Sequence, residues 1–172
     1  MSGTDETDPW AVASDARETY ARTDGEVTRA RNLASALSDL EDAATRGSNV
    51  DAAVADARRA FERFGGPGDD RRAPMGYLTE PVLDGDRDAL ATVEGSAALS
   101  NRVAAVVSGL RGFVEGGDWT PASDAFAAVV SPGSGGYDAA DRDDLAALSA
   151  IASTAAAAAV RYRTGQTERL TA

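Results

Sequence analysis

Apolar side chains recur along most of the chain at alternating steps of three and four residues, the spacing that places them on one face of an α-helix. Two stretches keep this rhythm without interruption: Ala30, Leu33, Leu37, Leu40 and Ala44, and then Val50, Val54, Ala57, Phe61 and Phe64. The pattern predicts helices over about 26–46 and 49–64. Because only Gly47, Ser48 and Asn49 separate them, the two helices are expected to be antiparallel neighbours.

The ends of this helical pair carry further signals. Asp8 offers a capping carboxylate and Pro9 suits the first helical position, so a leading helix is predicted from Pro9. Thr23 and Glu26 have capping-box spacing, which indicates either a new helix start or a kink inside one long helix. Gly65 is predicted to end the second helix in a left-handed cap.

The helical rhythm fails between Gly65 and Leu83, where glycines and prolines predict an irregular connection of about twenty residues. Apolar residues in its second half predict that this part packs on the bundle: Met75, Tyr77, Leu78, Val82 and Leu83.

Three more helices are predicted beyond the connection. One spans about 88–114 and ends at Gly116 and Gly117, a short one is capped by Thr120 and Pro121, and the last spans about 139–163. No segment has the pattern of a strand. The sequence therefore predicts an all-α fold, an antiparallel helical bundle of four principal helices plus a leading and a short extra helix.

The predicted domain organisation has three parts. A disordered acidic N-terminus covers 1–8, a single helical-bundle domain covers 9–164 and includes the irregular loop at 65–83, and a C-terminal tail covers 165–172.

Composition alone would predict a disordered chain, because large aliphatic residues are scarce among the 172 residues and the net charge is −11. The helical spacing favours a folded chain in which alanine fills the core faces of the helices. Aspartate exceeds glutamate, arginine replaces lysine throughout, and Ile151 is the single isoleucine. These features resemble the acidic proteins of salt-loving microbes, whose surface charge is screened by concentrated salt and serves solubility.

Histidine and cysteine are absent, which excludes imidazole bases, thiol nucleophiles, disulfides and the commonest zinc and haem ligands. The run from Asp84 to Asp88 has the alternate-acid spacing that opens a calcium loop. Ala89 and Gly95, however, stand where such a loop needs a glycine and a bidentate carboxylate. We interpret the run as helix capping, and expect no metal, no cofactor and no catalytic residue.

A cluster of arginines surrounds residues 65–68 in an otherwise acidic chain. With one tyrosine of the connection, they are the candidate residues for binding a ligand or partner: Arg58, Arg59, Arg63, Arg71, Arg72 and Tyr77. Guanidinium groups bind carboxylate and phosphate in bidentate fashion, which suits a small anionic ligand or an acidic partner. The alternative is that the arginines pair with neighbouring acids along the helix. Their small excess of positive charge does not predict nucleic-acid binding.

Residues 145–160 form a run of 16 without a charge, mostly alanine. A membrane span needs about 20 residues of greater hydrophobicity, so no membrane contact is expected. The run instead predicts either the central helix of the bundle or a dimer contact. The N-terminus has no secretory-signal pattern, and a cytoplasmic location is expected.

These patterns predict a non-catalytic helical interaction or assembly module of a halophilic cytoplasm, which binds a protein partner or itself as a homodimer. The alternative is a helical regulatory or sensor domain that binds a small anionic ligand near residues 58–72. A carboxylate-dependent metalloenzyme is a third class, and it requires acidic side chains that converge inside the bundle.

Overall fold

The computed structural model describes residues 9–65, 76–78, 100–131 and 136–171. Within them the chain forms five α-helices and one short 3₁₀ helix. In chain order these are α1 (Pro9–Arg46), α2 (Val50–Gly65), the 3₁₀ helix (Gly76–Leu78), α3 (Asn101–Gly116), α4 (Thr120–Val130) and α5 (Ala139–Thr171). The predicted all-α fold is confirmed, and the described residues contain no strand.

The two long helices, α1 and α5, make the most extensive contact of the bundle. Arg163 of α5 pairs with Asp24 of α1, and the Ser149 hydroxyl of α5 donates to the Ala34 carbonyl of α1 at 3.3 Å. As the residue number rises along α1 it falls along α5, so the two helices are antiparallel. This is the arrangement predicted for the bundle.

Tight turns join the shorter helices to this pair and to each other. The turn between α1 and α2 has Gly47 at φ 69° and Asn49 at φ 60°, left-handed values that glycine and asparagine tolerate best. α3 ends at Gly117, whose φ is 81° and whose N–H donates to the Phe113 carbonyl. This confirms the predicted glycine stop of that helix. α3 and α4 then pack closely, because a Cβ at Gly109 would lie 2.6 Å from the Ala122 backbone.

The predicted core faces pack into the bundle, although Val50 and Val54 at the start of α2 are only partly buried. On α1 the face continues from Leu40 to Ala43, which is 3% exposed, rather than to Ala44. On α5 seven alanines are buried: Ala147, Ala150, Ala152, Ala155, Ala156, Ala158 and Ala159. α5 is thus the central helix of the bundle, the first of the two alternatives that its uncharged run left open.

Several helix ends differ from the prediction. Thr23 and Glu26 lie within the continuous helix α1 and start no new helix. Gly65 is the last helical residue of α2 and has no positive φ, so the predicted left-handed cap is wrong. Its lack of a side chain serves packing instead, because a Cβ there would lie 2.3 Å from the Trp119 ring.

At the starts of α4 and α5, aspartate carboxylates accept hydrogen bonds from backbone N–H groups of the first turn. Thr120 is the first helical residue of α4 rather than its cap, and its N–H donates to the Asp118 carboxylate at 3.1 Å. Before α5, the Asp138 carboxylate accepts a hydrogen bond from the Asp141 N–H at 2.8 Å. The Asp138 N–H in turn donates to the Asp141 carboxylate at 3.1 Å. This reciprocal pair has the form of a capping box. α5 continues to Thr171, past the predicted end near residue 163.

Candidate functional site

A polar cluster lies inside the bundle where the 3₁₀ helix meets α1 and α5. Glu26 of α1 is 7% exposed, and its carboxylate accepts a hydrogen bond from the Tyr77 hydroxyl. The Tyr77 ring stacks on Tyr162 of α5, with centroids 4.5 Å apart and planes 8° from parallel. Leu78, the next residue, is 3% exposed and belongs to the core. The predicted packing of the second half of the connection is therefore confirmed at these two residues.

The 3₁₀ helix fills a recess that we call the notch. Its walls are Ala30 of α1, Phe64 of α2, and Ala155 and Ala159 of α5, and the buried Glu26 also lines it. Beneath Tyr77 and Leu78 the notch keeps room for about one water molecule. The notch thus combines alanine walls and a carboxylate around an aromatic and an aliphatic side chain.

The electrostatics of the notch keep Tyr77 protonated. Burial raises the pKa of the Tyr77 phenol well above its ordinary value, and the Glu26 carboxylate raises it further, whereas Arg29 acts in the opposite direction. A phenol with a raised pKa is a hydrogen-bond donor at neutral pH and a poor base or nucleophile. The Glu26–Tyr77 hydrogen bond therefore joins the 3₁₀ helix to α1.

A second recess lies on the outer side of the α1–α5 contact and is open to solvent, with a volume of about 270 Å³. We call it the outer groove. It is lined mainly by small side chains: Arg31, Ala34, Ser153, Ala156, Ala157 and Val160. Arg31, Ser153 and Ala157 are exposed, so this groove is accessible to another molecule.

Charges of opposite sign follow one another along the two helices that form the outer groove, with Arg31 in the groove and the aspartates two or more turns beyond it. Arg31 and Asp42 are exposed on α1, and their separation of about three turns places them on one side of the helix. Arg161 and Asp143 are exposed on α5, about five turns apart on one side. Because the helices are antiparallel, the two arginines lie towards the Asp24–Arg163 end and the two aspartates lie towards the opposite end.

The arginines singled out from the sequence lie elsewhere. Arg58, Arg59 and Arg63 are exposed on α2, and Arg59 pairs with Asp56 one turn away. Arg71 and Arg72 lie outside the described residues, as does the run 84–88. Tyr77 is directed away from that exposed surface, towards α1 and α5. The described part of the cluster thus shows exposed arginines on a helix surface, and the anionic-ligand hypothesis stays a prediction.

Two further polar contacts join helices. Glu62 of α2 accepts from the Trp119 indole N–H at 2.8 Å and from the Ser123 hydroxyl. Arg102 of α3 donates to the Asp141 carboxylate at 2.7 Å and to the carbonyls of Ala128 and Val129, each at 3.0 Å. The hydrogen bond from Arg102, followed by that from the Asp138 backbone, lowers the pKa of Asp141. The Arg102 guanidinium thereby occupies carbonyls that the C-terminus of α4 leaves without helical partners.

The notch could have been recognised from spacing. Thr23 and Glu26 extend the sequence of three- and four-residue steps that continues through Ala30, Leu33 and Leu37. They are therefore polar residues at core positions, and the structure buries both, with Thr23 0% exposed. No comparable signal marks Tyr77 as the partner of Glu26, because 51 residues separate them.

The described residues contain no group of three or more acidic side chains that could hold a metal ion. By length and composition alone, the stretch Ala139–Gly165 could cross a membrane, but 56% of its most apolar window is buried inside the protein. A core helix of a soluble bundle passes the same test, so this is weak evidence for a membrane.

Comparison of the chain with protein-family models, with curated proteins and with solved structures gave no match.

Proposed function

We propose that the protein is a non-catalytic helical assembly module of a halophilic cytoplasm, and that it associates with a second copy of itself through the outer groove. The observation that carries the proposal is the combination of an accessible small-residue groove with charges of opposite sign along the two helices that form it.

Small side chains support this use of the groove because they let a second helix backbone approach closely. Ala34, Ala156 and Ala157 line it, with Val160 towards one end. Among the described residues, the one large hydrophobic side chain that is exposed is Tyr162, at 37%. A contact built on large aromatic anchors is therefore not what this surface offers, and close packing of small residues is the alternative.

The charge arrangement favours a second copy over an unrelated acidic or basic partner. A two-fold axis near the Ala34 end of the groove would place Arg31 and Arg161 of one copy near Asp42 and Asp143 of the other. Two like-oriented copies would instead bring equal charges together. Charge complementarity of this kind sets orientation more than affinity. In concentrated salt the attraction is screened within about 3 Å, so most of the affinity must come from apolar contact.

The experiment is light scattering of the purified chain in molar salt, over a range of protein concentrations. The wild-type chain is expected to be a dimer. Ala157→Glu places a charge in the groove and should yield a monomer, whereas Ala104→Glu, at an exposed alanine of α3, should leave the dimer intact. A wild-type chain that stays monomeric at every concentration would overturn the proposal, and a dimer that tolerates Ala157→Glu would overturn the choice of surface.

Charge reversal adds a test of orientation. Arg31→Asp and Asp42→Arg should each weaken the dimer at moderate salt, and the doubly reversed chain should recover it, because the pair would face each other again across the axis. Additive weakening in the double variant would contradict the proposed axis.

A further inference from the structure

The notch and the segment that fills it have the properties of a docking site occupied by its own chain. Three described residues, Gly76–Leu78, lie in a recess walled by α1, α2 and α5. Tyr77 and Leu78 provide the hydrogen bond to Glu26, the stacking on Tyr162 and the contact with the core. Side-chain contacts of this kind depend on a short sequence of matching chemistry, whichever chain supplies it.

The shape of the notch explains this selectivity. Ala30, Ala155 and Ala159 leave space on the two long helices where larger side chains would close it. Phe64 also lines the notch, and the buried Glu26 carboxylate accepts a hydrogen bond from the segment that fills it. An aromatic side chain that carries a hydroxyl, followed by an aliphatic side chain, satisfies both requirements at once.

We propose that the notch is a self-occupied docking site, filled by Tyr77 and Leu78 of its own chain and open to the same segment of a second copy. The inference rests on the proposed self-association in one respect: a second copy of the chain must be close enough to supply its own Tyr77 and Leu78. In the isolated chain the internal segment is favoured because its tether gives it a high effective concentration. In a dimer, the partner's segment would be tethered as well and could compete for the notch.

The test uses a fluorescently labelled peptide of residues 74–81, which contains the tyrosine and the leucine. It is titrated by fluorescence anisotropy against the full chain carrying Tyr77→Ala and Leu78→Ala, in which the notch is empty and its walls are unchanged. Saturable binding is expected, and the wild-type chain should bind the peptide at least about tenfold more weakly because its notch is already filled. A peptide with phenylalanine in place of the tyrosine should also bind about tenfold more weakly, since it cannot donate to Glu26.

The matched control closes the notch. Ala159→Leu in the doubly substituted chain adds a side chain to the emptied recess and should abolish peptide binding. The proposal is overturned if the helical, doubly substituted chain does not bind the peptide, or if Ala159→Leu leaves binding unchanged. If circular dichroism shows that the double substitution unfolds the chain, Tyr77→Ala alone is titrated with the same two criteria. None of these readings depends on dimerisation, so a failure here is distinguishable from a failure of the light-scattering experiment.

Discussion

The contact of α5 with α1 and the contact of α4 with α2 stabilise the same bundle with different side chains. α5 contributes mainly alanines, including Ala152 and Ala155, each 1% exposed. The α2–α4 contact centres on stacked rings, with Phe61 and Phe126 centroids 4.0 Å apart and the Trp119 ring 4.9 Å from Phe61. Small residues suit two long helices that run side by side, whereas rings fill the wider space where short helices meet.

The difference has an energetic consequence. A large ring that is buried makes many contacts, and its removal leaves a cavity, so the α2–α4 contact is vulnerable to truncation. Shortening a buried alanine to glycine removes a single methyl group and leaves almost no cavity, so few packing contacts are lost. The alanine contact is vulnerable to enlargement, because two backbones already lie close together. The two contacts should therefore respond to opposite kinds of substitution.

Truncation in the aromatic contact is expected to have the largest effect. Phe126 is 2% exposed and stacks on Phe61, so Phe126→Ala should lower the free energy of unfolding by about 3–5 kcal/mol. Urea unfolding in molar salt measures it. Phe126→Leu keeps most of the volume and should recover more than half of the loss. An effect below about 1 kcal/mol for Phe126→Ala would mean that the rings are not a principal source of stability.

Enlargement in the alanine contact comes next. Ala152→Leu adds three carbon atoms at a buried position of α5 and should destabilise the protein by about 1–3 kcal/mol. Ala104→Leu is the matched control, because Ala104 is exposed on α3 and does not line the outer groove, and it should change stability by less than about 0.5 kcal/mol. Equal effects at the two positions would contradict the packing described for α5.

A smaller change in stability is expected at Gly65, where the end of α2 packs against the Trp119 ring. Gly65→Ala should cost about 1–2 kcal/mol, since its Cβ would collide with the ring at 2.3 Å. In a Trp119→Ala background the collision is absent, and the same substitution should cost little. If Gly65→Ala still destabilises the protein in that background, the backbone conformation at residue 65 requires glycine. The predicted left-handed cap would have had this requirement. Gly112→Ala, in α3 with open space around its Cβ, should be stabilising by about 0.5–1 kcal/mol.

Sequence patterns predicted the fold because its helices are amphipathic and end at recognisable residues. The stripe from Ala30 to Leu40 and the stop at Gly117 depend on spacing and on backbone conformation, which are local properties. Gly65 was misjudged because its reason is the ring of Trp119, 54 positions away in the chain. Local patterns carry no information on such distant contacts.

The candidate sites were less predictable for the same reason. Arg58, Arg59 and Arg63 are conspicuous in the sequence because the chain is acidic, yet they are exposed on α2. The outer groove arises only when α1 and α5 are placed side by side, and the notch needs residues from four segments of the chain. Sequence analysis singled out one residue of the notch, Tyr77, as a binding candidate, and it did so without identifying Glu26 as its partner.

The smallest effect on stability is expected from the hydrogen bond of Tyr77 to Glu26. This bond is a polar contact beside the alanine-rich contact of α1 with α5. Tyr77→Phe should cost about 1 kcal/mol at neutral pH. The groups that face the phenol are Glu26, Arg29 and Tyr162, and burial is the largest cause of its raised pKa. In the unfolded chain a tyrosine has a pKa of about 10. The native state therefore retains a proton that the unfolded state releases above that pH.

This linkage gives the sign of the alkaline response. Stability from Tyr77 is fully present below pH 10 and should fall above it, by at most about 1.4 kcal/mol per pH unit for one group. Tyr137 contributes in the same direction over a narrower window, because burial, with Asp141 and Asp51, raises its pKa to about 12. Urea unfolding between pH 9 and 11.5 should thus show a shallower decline for Tyr77→Phe than for the wild type, and also a shallower one for Tyr137→Phe. Parallel curves for Tyr77→Phe and the wild type would mean that the Tyr77 phenol is solvated in the native state and is not buried in the notch.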